Sequence, residues 1–162
     1  MGTLARLGLA AVWLISGALK ISDPGQTYVA VQAFDVLPDS LVRPVAIGMP
    51  LAELALGLFL LAGYLTRWVS VLSVLMLALL IAAIAQSWVR GLSIDCGCFG
   101  GGGQIAADQT QYPQEIARDF GFALLGVWLI VRPRTRLSVD GWLGNSRVPA
   151  DDDYVGIAEG NE

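Results

Sequence analysis

Long apolar stretches separated by short polar ones dominate the chain. Four such stretches are centred on residues 7–19, 41–63, 68–86 and 120–131. A helix needs about 20 mostly apolar residues to cross the hydrocarbon core of a bilayer, and each stretch approaches that length once its flanking residues are included. The pattern therefore predicts four membrane-spanning helices. We place them at about residues 4–22, 41–63, 67–88 and 114–132.

The segment between the first two stretches predicts a shorter helix. Asp23-Pro24 offers an N-cap followed by proline at the first helical position. Tyr28, Val31 and Phe34 then recur at helical spacing before Leu37-Pro38 ends the segment. We expect this helix to lie in the membrane interface. The predicted fold class is an all-α integral membrane protein, a bundle of four transmembrane helices with a short interfacial helix between the first two spans.

The first apolar stretch also has a second interpretation. Arg6 would form the charged start of a secretory signal peptide, and Ser16-Gly17-Ala18 would form its small-residue cleavage site. Cleavage would leave three spans. If the stretch is not cleaved, it forms a helix with Arg6 and Lys20 at its ends. The long aliphatic parts of these two side chains then let their charges reach the two interfaces.

Composition excludes several classes of protein. Hydrophobic residues make up 55% of the 162 residues, charged residues 15%, and the mean hydropathy is +0.61. A soluble domain of this length does not need so much apolar surface to fill its core, so the lipid bilayer is the first partner that we predict. No basic patch interleaved with aromatic residues exists to hold a phosphate backbone, and we predict no binding of nucleic acid.

Charge divides the chain into two parts. Residues 137–162 carry six acidic side chains against Arg147, whereas residues 1–136 carry nine basic and eight acidic side chains. We therefore predict a membrane domain over residues 1–136. The segment 137–162 cannot bury enough apolar surface to fold, and we predict an acidic disordered cytoplasmic tail there.

Basic residues near the span ends predict the orientation. Arg132, Arg134 and Arg136 follow the fourth span, and Arg6 and Arg67 lie on the same side. The opposite side carries Lys20, Arg43, Arg90 and Arg118. Because the cluster after the fourth span is the densest, the positive-inside rule places both termini in the cytoplasm. The protein is then a multi-pass protein of the cell (inner or plasma) membrane, with the loop after the third span outside the cytoplasm.

That loop holds the only two cysteines of a chain without histidine. Cys96 and Cys98 lie one glycine apart, and Gly97 permits the turn that a bridge between them would need. A ring this small would add little stability, since the stabilisation by a disulfide grows with loop length. Strained, exposed disulfides exchange more readily than structural ones. We take Cys96 and Cys98 as the candidate catalytic residues.

Other interpretations of the loop stay open. The pair could be a static disulfide, two inert thiols or half of a metal site, although structural zinc sites usually have four ligands, and we predict no metal. Asp95 disfavours the thiolate of its neighbour unless Arg90 or Arg118 offsets it. The glycines 100–103 are not a phosphate cradle, and we expect them to let the loop move or a partner approach.

Glu53 is a second informative residue because it lies near the middle of the predicted second span. A carboxyl group there is costly unless it is protonated, paired or faces a hydrated interior. It could form a helix-packing hydrogen bond or line a proton or substrate path, with Lys20 and Arg118 as candidate partners. Lys20-Ile21-Ser22-Asp23-Pro24 and Arg118-Asp119 could likewise form a polar cluster beneath the cysteine loop, or their side chains could simply reach the interface.

The order of these features resembles the MauE family, within the DoxX-like group of four-helix membrane proteins. The resemblance covers roughly residues 5–131 and rests on Lys20, Asp23, Leu37-Pro38, Pro50, Glu53 and Cys96-Gly97-Cys98-Phe99-Gly100. It implies a role in methylamine utilisation, in which such proteins act with a thioredoxin-like partner to mature the disulfide-rich small subunit of methylamine dehydrogenase. It also implies that Cys96 and Cys98 are a redox pair.

The leading functional hypothesis is a membrane thiol-disulfide redox protein, a candidate thiol-disulfide oxidoreductase. Its partner would be an extracytoplasmic thioredoxin-like protein or a secreted substrate that contains cysteine. The chain has no second cysteine pair and no histidine to carry electrons onward. Electrons must therefore pass to partners on one face or to a quinone held between the helices, which is the one cofactor that we consider.

Two alternatives belong to other classes. In a non-catalytic assembly factor or scaffold, the loop would only shape a docking surface. In a small-molecule transporter, Glu53 would line the pathway, although four spans without an internal repeat make a thin one.

Overall fold

The computed structural model describes residues 2–97 and 101–132. Five α-helices contain most of them. Their bounds are α1 Gly2–Ser22, α2 Pro24–Ala33, α3 Asp39–Ala62, α4 Thr66–Val89 and α5 Tyr112–Val131. The four long helices agree with the predicted spans within two residues at every end. Cys98 and the predicted tail at 137–162 lie outside the described residues.

Three of these helices, α1, α3 and α4, are long and apolar enough to cross a membrane. The protein is thus a multi-pass, mainly helical membrane protein. Helix α5 has 20 residues, but its first half carries Glu115, Arg118 and Asp119. A fourth span and the interfacial position of α2 therefore stay predictions.

Helix α2 begins as its sequence predicts. Oδ1 of Asp23 accepts a hydrogen bond from the backbone N–H of Gln26 at 2.9 Å, and Pro24 occupies the first turn. This cap satisfies one of the backbone donors that the first turn of a helix leaves without an internal partner. Thr27 fixes the junction with α1, because its hydroxyl donates toward the carbonyl oxygens of Lys20 and Asp23 at 2.9 and 3.0 Å.

The helices pack mainly as two pairs. Helix α1 lies along α3, α4 lies along α5, and contacts between α1 and α5 join the pairs. Helices α3 and α4 are antiparallel neighbours through a three-residue turn that ends α3 at Gly63 (φ +69°), yet they touch each other over much less of their length.

Glycines allow the closest helix contacts, but only at some positions. A Cβ added at Gly57 would lie 2.7 Å from Cγ of Leu14, and one at Gly126 would lie 2.6 Å from Cγ2 of Val74. Small residues that let backbones approach are the usual means of packing helices in a bilayer. Gly8 and Gly48 make no such contact, since a Cβ at either would meet nothing within 4 Å.

A small antiparallel ribbon, which the sequence pattern does not predict, follows α4. Strand β1 (Ile94–Asp95) pairs with β2 (Gly103–Gln104), so that Ile94 lies opposite Gln104 and Asp95 opposite Gly103. Strands of two residues are too short to show an alternating pattern. The ribbon places the cysteine loop at its tip, between α4 and a short 3-10 helix, Ala107–Gln109, that precedes α5.

Candidate functional site

Cys96 follows β1 directly and is buried, with 7% of its surface exposed. The next residue, Gly97, has φ +65°, a conformation that glycine adopts at little cost. Its backbone N–H donates to Oδ1 of Asp95 at 3.2 Å. The chain therefore turns immediately after Cys96, as a bridge to Cys98 would require. Cys98 itself lies outside the described residues.

The glycine-rich side of the loop lies against α2. A Cβ at Gly102 would lie 2.5 Å from Cβ of Ala30, and one at Gly103 would lie 2.9 Å from Cγ1 of Val29. The side-chain amide of Gln26 donates a hydrogen bond to the carbonyl oxygen of Gly102. The close approach that these glycines permit is thus made within the chain, by α2.

Tyr112 fastens the other side of the loop to the start of α5. Its buried hydroxyl donates to the carbonyl oxygen of Leu92 at 2.5 Å and accepts from the backbone N–H of Ile94 at 3.0 Å. Its ring stacks on Trp88, with the centroids 6.2 Å apart. These contacts fix β1, and with it Cys96, relative to the ends of α4 and α5.

Charged side chains of α5 surround the sulfur of Cys96. Nη2 of Arg118 lies 3.9 Å from Sγ. The carboxylate of Glu115 is within hydrogen-bonding reach of both the thiol and the backbone of Cys96. The guanidinium favours the thiolate and the carboxylate can accept the thiol proton. Arg90 has a different role, because it pairs with Asp35 at 2.6 Å.

The acidic neighbours of Cys96 also give the arrangement closest to a metal site among the described residues. Ligand atoms of Asp95, Cys96 and Glu115 lie within 4.8 Å of one another. Three ligands are fewer than the four of a structural zinc site. The positive charge of Arg118 beside Sγ also disfavours a cation there. We therefore give this cluster no metal, and the absence of a metal stays a prediction.

A buried ion pair connects α1 to α3. Nζ of Lys20 lies 2.5 Å from Oε1 of Glu53, and their side chains are only 7% and 1% exposed. The hydroxyl of Ser16 donates to Oε2 of Glu53 at 3.0 Å and accepts from Nζ of Lys20 at 3.0 Å. Of the two predicted partners for Glu53, Lys20 is the one that the structure selects. The pairing gives Glu53 a role in packing α1 against α3.

Arg118 connects this pair to the cysteine. Its Nε donates to Oδ1 of Asp119 at 3.0 Å, and the buried carboxylate of Asp119 interacts electrostatically with Lys20. Lys20, Arg118 and Asp119 of the predicted polar cluster therefore meet beneath the loop, whereas Asp23 caps α2. With Ser16 and Glu53 they form one cluster, in which all residues but Arg118 are buried, and the Arg118 side chain is 33% exposed.

An apolar cavity of about 620 Å³ lies between α2, α3 and α4. Lys20, Cys96 and Gly97 line it together with mostly hydrophobic side chains such as Phe34, Met49 and Leu80. A second cavity of about 500 Å³ extends between α3 and α4 toward their connecting turn. The two cavities share Ala52, Met76 and Leu79, and together we call them the α3/α4 groove.

Three contributors to this site escaped the sequence analysis as functional residues. Glu115 was detectable, since it precedes Arg118 by three positions and so shares its helix face. The sequence pattern points to Ser16 only as part of a candidate cleavage site. The role of Tyr112 depends on contacts with a loop 18 and 20 residues away, and no local pattern indicates such contacts.

Comparison with known proteins identifies the family. The family described as methylamine utilisation protein MauE matches residues 1–132, and the chain belongs to this family. The methylamine utilization protein MauE of Paracoccus denitrificans is 34% identical over 98 residues, which are 60% of this chain and 53% of that relative. The match thus spans about half the length of the curated relative. No solved structure matches the chain.

Proposed function

We propose that this member of the MauE family is a membrane thiol-disulfide redox protein whose reactive groups are Cys96 and Cys98. Its partner is an extracytoplasmic thioredoxin-like protein or a secreted protein that contains cysteine. The observation that carries the proposal is the position of Cys96. A buried sulfur, 3.9 Å from the Nη2 of Arg118 and within reach of the Glu115 carboxylate, has the charged neighbours that an inert core cysteine lacks.

The exchange proceeds through a mixed disulfide. In one direction, a thiolate of the partner attacks the bridge between Cys96 and Cys98, one sulfur bonds to the partner and the other leaves as a thiolate. The second partner thiol then attacks the partner sulfur of the mixed disulfide, an S–S bond forms within the partner, and the cysteine of this protein leaves as a thiolate. The partner is thereby oxidised and the pair reduced by two electrons. Arg118 stabilises a thiolate on Cys96, and Glu115 accepts or returns its proton. The reverse sequence forms a disulfide on this protein.

The family supports a pathway for this proposal. The relative in Paracoccus denitrificans is described as a methylamine utilization protein. We propose a role in methylamine utilisation for this chain as well, in disulfide formation or maturation of secreted proteins such as the small subunit of methylamine dehydrogenase. The redox role does not depend on this particular substrate.

The membrane arrangement that we propose has four spans. Helix α5 packs along α4 and reaches α1, and its charges face partners inside the protein, since Arg118 contacts Cys96 and Asp119 is buried. Such internal pairing is what allows ionisable residues in a transmembrane helix. Both termini are then cytoplasmic and the cysteine loop is extracytoplasmic in the cell membrane. Helix α2 lies at the outer interface beneath the loop.

The transporter hypothesis loses its main support from the contacts of Glu53. Both carboxylate oxygens have partners, Oε1 in Lys20 and Oε2 in Ser16, so the residue is accounted for by packing α1 against α3. The scaffold hypothesis is the remaining rival, and the following experiment separates it from the redox function.

The test is a redox titration of the protein in native membranes. Membranes are equilibrated without oxygen in glutathione buffers of defined potential and quenched with acid, and free thiols are labelled with a maleimide that shifts the band on a gel. We expect a reversible two-electron transition, in which about 30 mV changes the ratio of dithiol to disulfide tenfold. Single variants Cys96→Ser and Cys98→Ser should trap a mixed disulfide with the partner.

The double variant, Cys96→Ser with Cys98→Ser, has no thiol to label and so gives the background of the maleimide assay. It also shows whether the protein still binds its partner without the cysteines. If the pair stays bridged or stays reduced at every potential, and the double variant supports secreted disulfide formation as well as wild type, the redox proposal is wrong. The scaffold would then be the better description.

A further inference from the structure

We propose that the α3/α4 groove binds a membrane-soluble quinone, with its ring beside Cys96 and Lys20 and its isoprenoid tail between α3 and α4. In this proposal the quinone is the oxidant that regenerates the disulfide of Cys96 and Cys98. The inference rests on the proposed redox function, which it extends by naming the electron acceptor.

The shape of the groove fits such a molecule. The cavity beside Cys96, about 620 Å³ in volume, lies within the usual range of about 300–1,000 Å³ for small-molecule sites. It continues through Ala52, Met76 and Leu79 into the second cavity, whose lining is hydrophobic throughout. A ring with polar atoms at one end and a long hydrocarbon tail matches a groove whose polar groups lie at one end only. The helices that border it, α3 and α4, are both candidate spans, so a ligand of the bilayer can reach it.

The polar end of the groove suits a neutral acceptor. The ammonium of Lys20 has three N–H donors, and Glu53 and Ser16 accept two of them. The third can serve a quinone carbonyl oxygen. The charge of Lys20 is balanced by Glu53 at 2.5 Å, and Asp119 adds a further negative charge nearby. A phosphate or carboxylate head group would therefore gain little, and this argues for a carbonyl compound over a phospholipid.

An acceptor of this kind satisfies the electron balance. The chain has two cysteines and no histidine, so it holds no second thiol pair to receive the electrons. When the dithiol becomes a disulfide, two S–H bonds break, one S–S bond forms, and two electrons and two protons are released. A quinone takes up both electrons and both protons and becomes a quinol with two new O–H bonds. The quinol leaves into the bilayer, and a partner dithiol reduces the disulfide again.

Gly48 and Ala52 offer direct ways to block the groove. Both are exposed and line the cavity beside Cys96, and a Cβ at Gly48 meets nothing within 4 Å. Gly48→Leu therefore fills ligand space without disturbing the helix contacts, and Ala52→Leu narrows the junction of the two cavities. Gly8→Leu is the matched control, because Gly8 is an exposed helical glycine with equal space that lines neither cavity.

The experiment uses the full chain in lipid nanodiscs without added quinone. An azido derivative of decylubiquinone is photolysed with each protein, and the labelled peptides are identified by mass spectrometry. In parallel, the reduced proteins are mixed anaerobically with decylubiquinone, and quinol absorbance and protein thiols are followed together. We expect label on α3 and α4 peptides and one quinol formed per dithiol lost. Gly48→Leu and Ala52→Leu should lower both readouts about tenfold or more, whereas Gly8→Leu should match wild type.

The outcomes separate this inference from the proposed function. Absence of label in the groove, or label that excess decylubiquinone does not displace, means that lipid acyl chains fill it, and the inference is wrong. Label without quinol formation also overturns it. In either case, a normal glutathione titration of wild type still supports the redox function. Thermal unfolding of the variants shows whether lower labelling and quinol formation come from a blocked groove or from misfolding. If either Gly48→Leu or Ala52→Leu fails to fold, the other variant provides the test.

Discussion

The Nζ atom of Lys20 on α1 lies 2.5 Å from Oε1 of Glu53 on α3, with both side chains more than nine-tenths buried. Removing two opposite charges from water is costly, and their mutual attraction offsets this cost only when the geometry is good and further hydrogen bonds are made. Ser16 makes such bonds to both partners. The pair therefore fixes the register of α1 against α3 directly below the loop that carries Cys96.

Breaking this pair should destabilise the bundle strongly. Glu53→Leu leaves the Lys20 ammonium buried without its counter-charge, and we expect a loss of about 3–5 kcal/mol in the free energy of unfolding. The double variant Lys20→Met with Glu53→Leu removes both charges and should recover most of that loss. Equilibrium unfolding in mixed micelles measures both. Equal stability of Glu53→Leu and wild type would show that the pair has no structural role.

The charges around Cys96 should set the reactivity of its thiol in opposite directions. In a Cys98→Ser background, Arg118→Gln removes the cation beside Sγ and should slow alkylation by iodoacetamide near neutral pH by about tenfold or more, because less thiolate is present. Glu115→Gln removes a nearby negative charge and should speed it. Arg90→Gln is the matched control, since Arg90 pairs with Asp35. Equal effects of the Arg90 and Arg118 changes would contradict the site described above.

Glycines that look alike in the sequence should respond differently to the same substitution. Gly57→Ala places a Cβ 2.7 Å from Cγ of Leu14, and we expect a destabilisation of about 1–3 kcal/mol from overpacking between α1 and α3. Gly8→Ala meets nothing within 4 Å and should leave stability unchanged or slightly higher. Unfolding midpoints of the two variants in the same detergent provide the comparison. A larger decrease in stability for Gly8→Ala than for Gly57→Ala would contradict the described packing.

The number of spans can be tested with paired reporters. If α5 crosses the membrane, alkaline phosphatase fused after Thr110 should be active outside the cytoplasm, and a fusion after Arg132 should be inactive. Green fluorescent protein shows the reverse pattern, because it fluoresces only in the cytoplasm of bacteria. The same location for both fusion points would mean that α5 does not span. Inverted activities at both points would mean that the positive-inside rule gave the wrong orientation.

Much of the architecture could be predicted from the sequence because membranes impose a simple rule. Backbone groups inside lipid must bond within their own segment, so each long apolar stretch had to be a helix. The stretches gave the ends of α1, α3, α4 and α5 within two residues, and Asp23-Pro24 gave the start of α2. The cysteine pair and Glu53 also stood out, since both are chemically unusual in their surroundings.

The amino-acid sequence by itself thus determined the helical membrane class, the family and the residues worth attention, because composition, periodicity and rare residues are local properties. Only the tertiary structure decided which groups meet. It paired Glu53 with Lys20, placed Arg118 at Cys96 and Arg90 at Asp35, and set Gly102 against α2. It also left the apolar groove between α3 and α4. Such contacts depend on how helices distant in sequence rotate and pack, and no single segment of the chain contains that information.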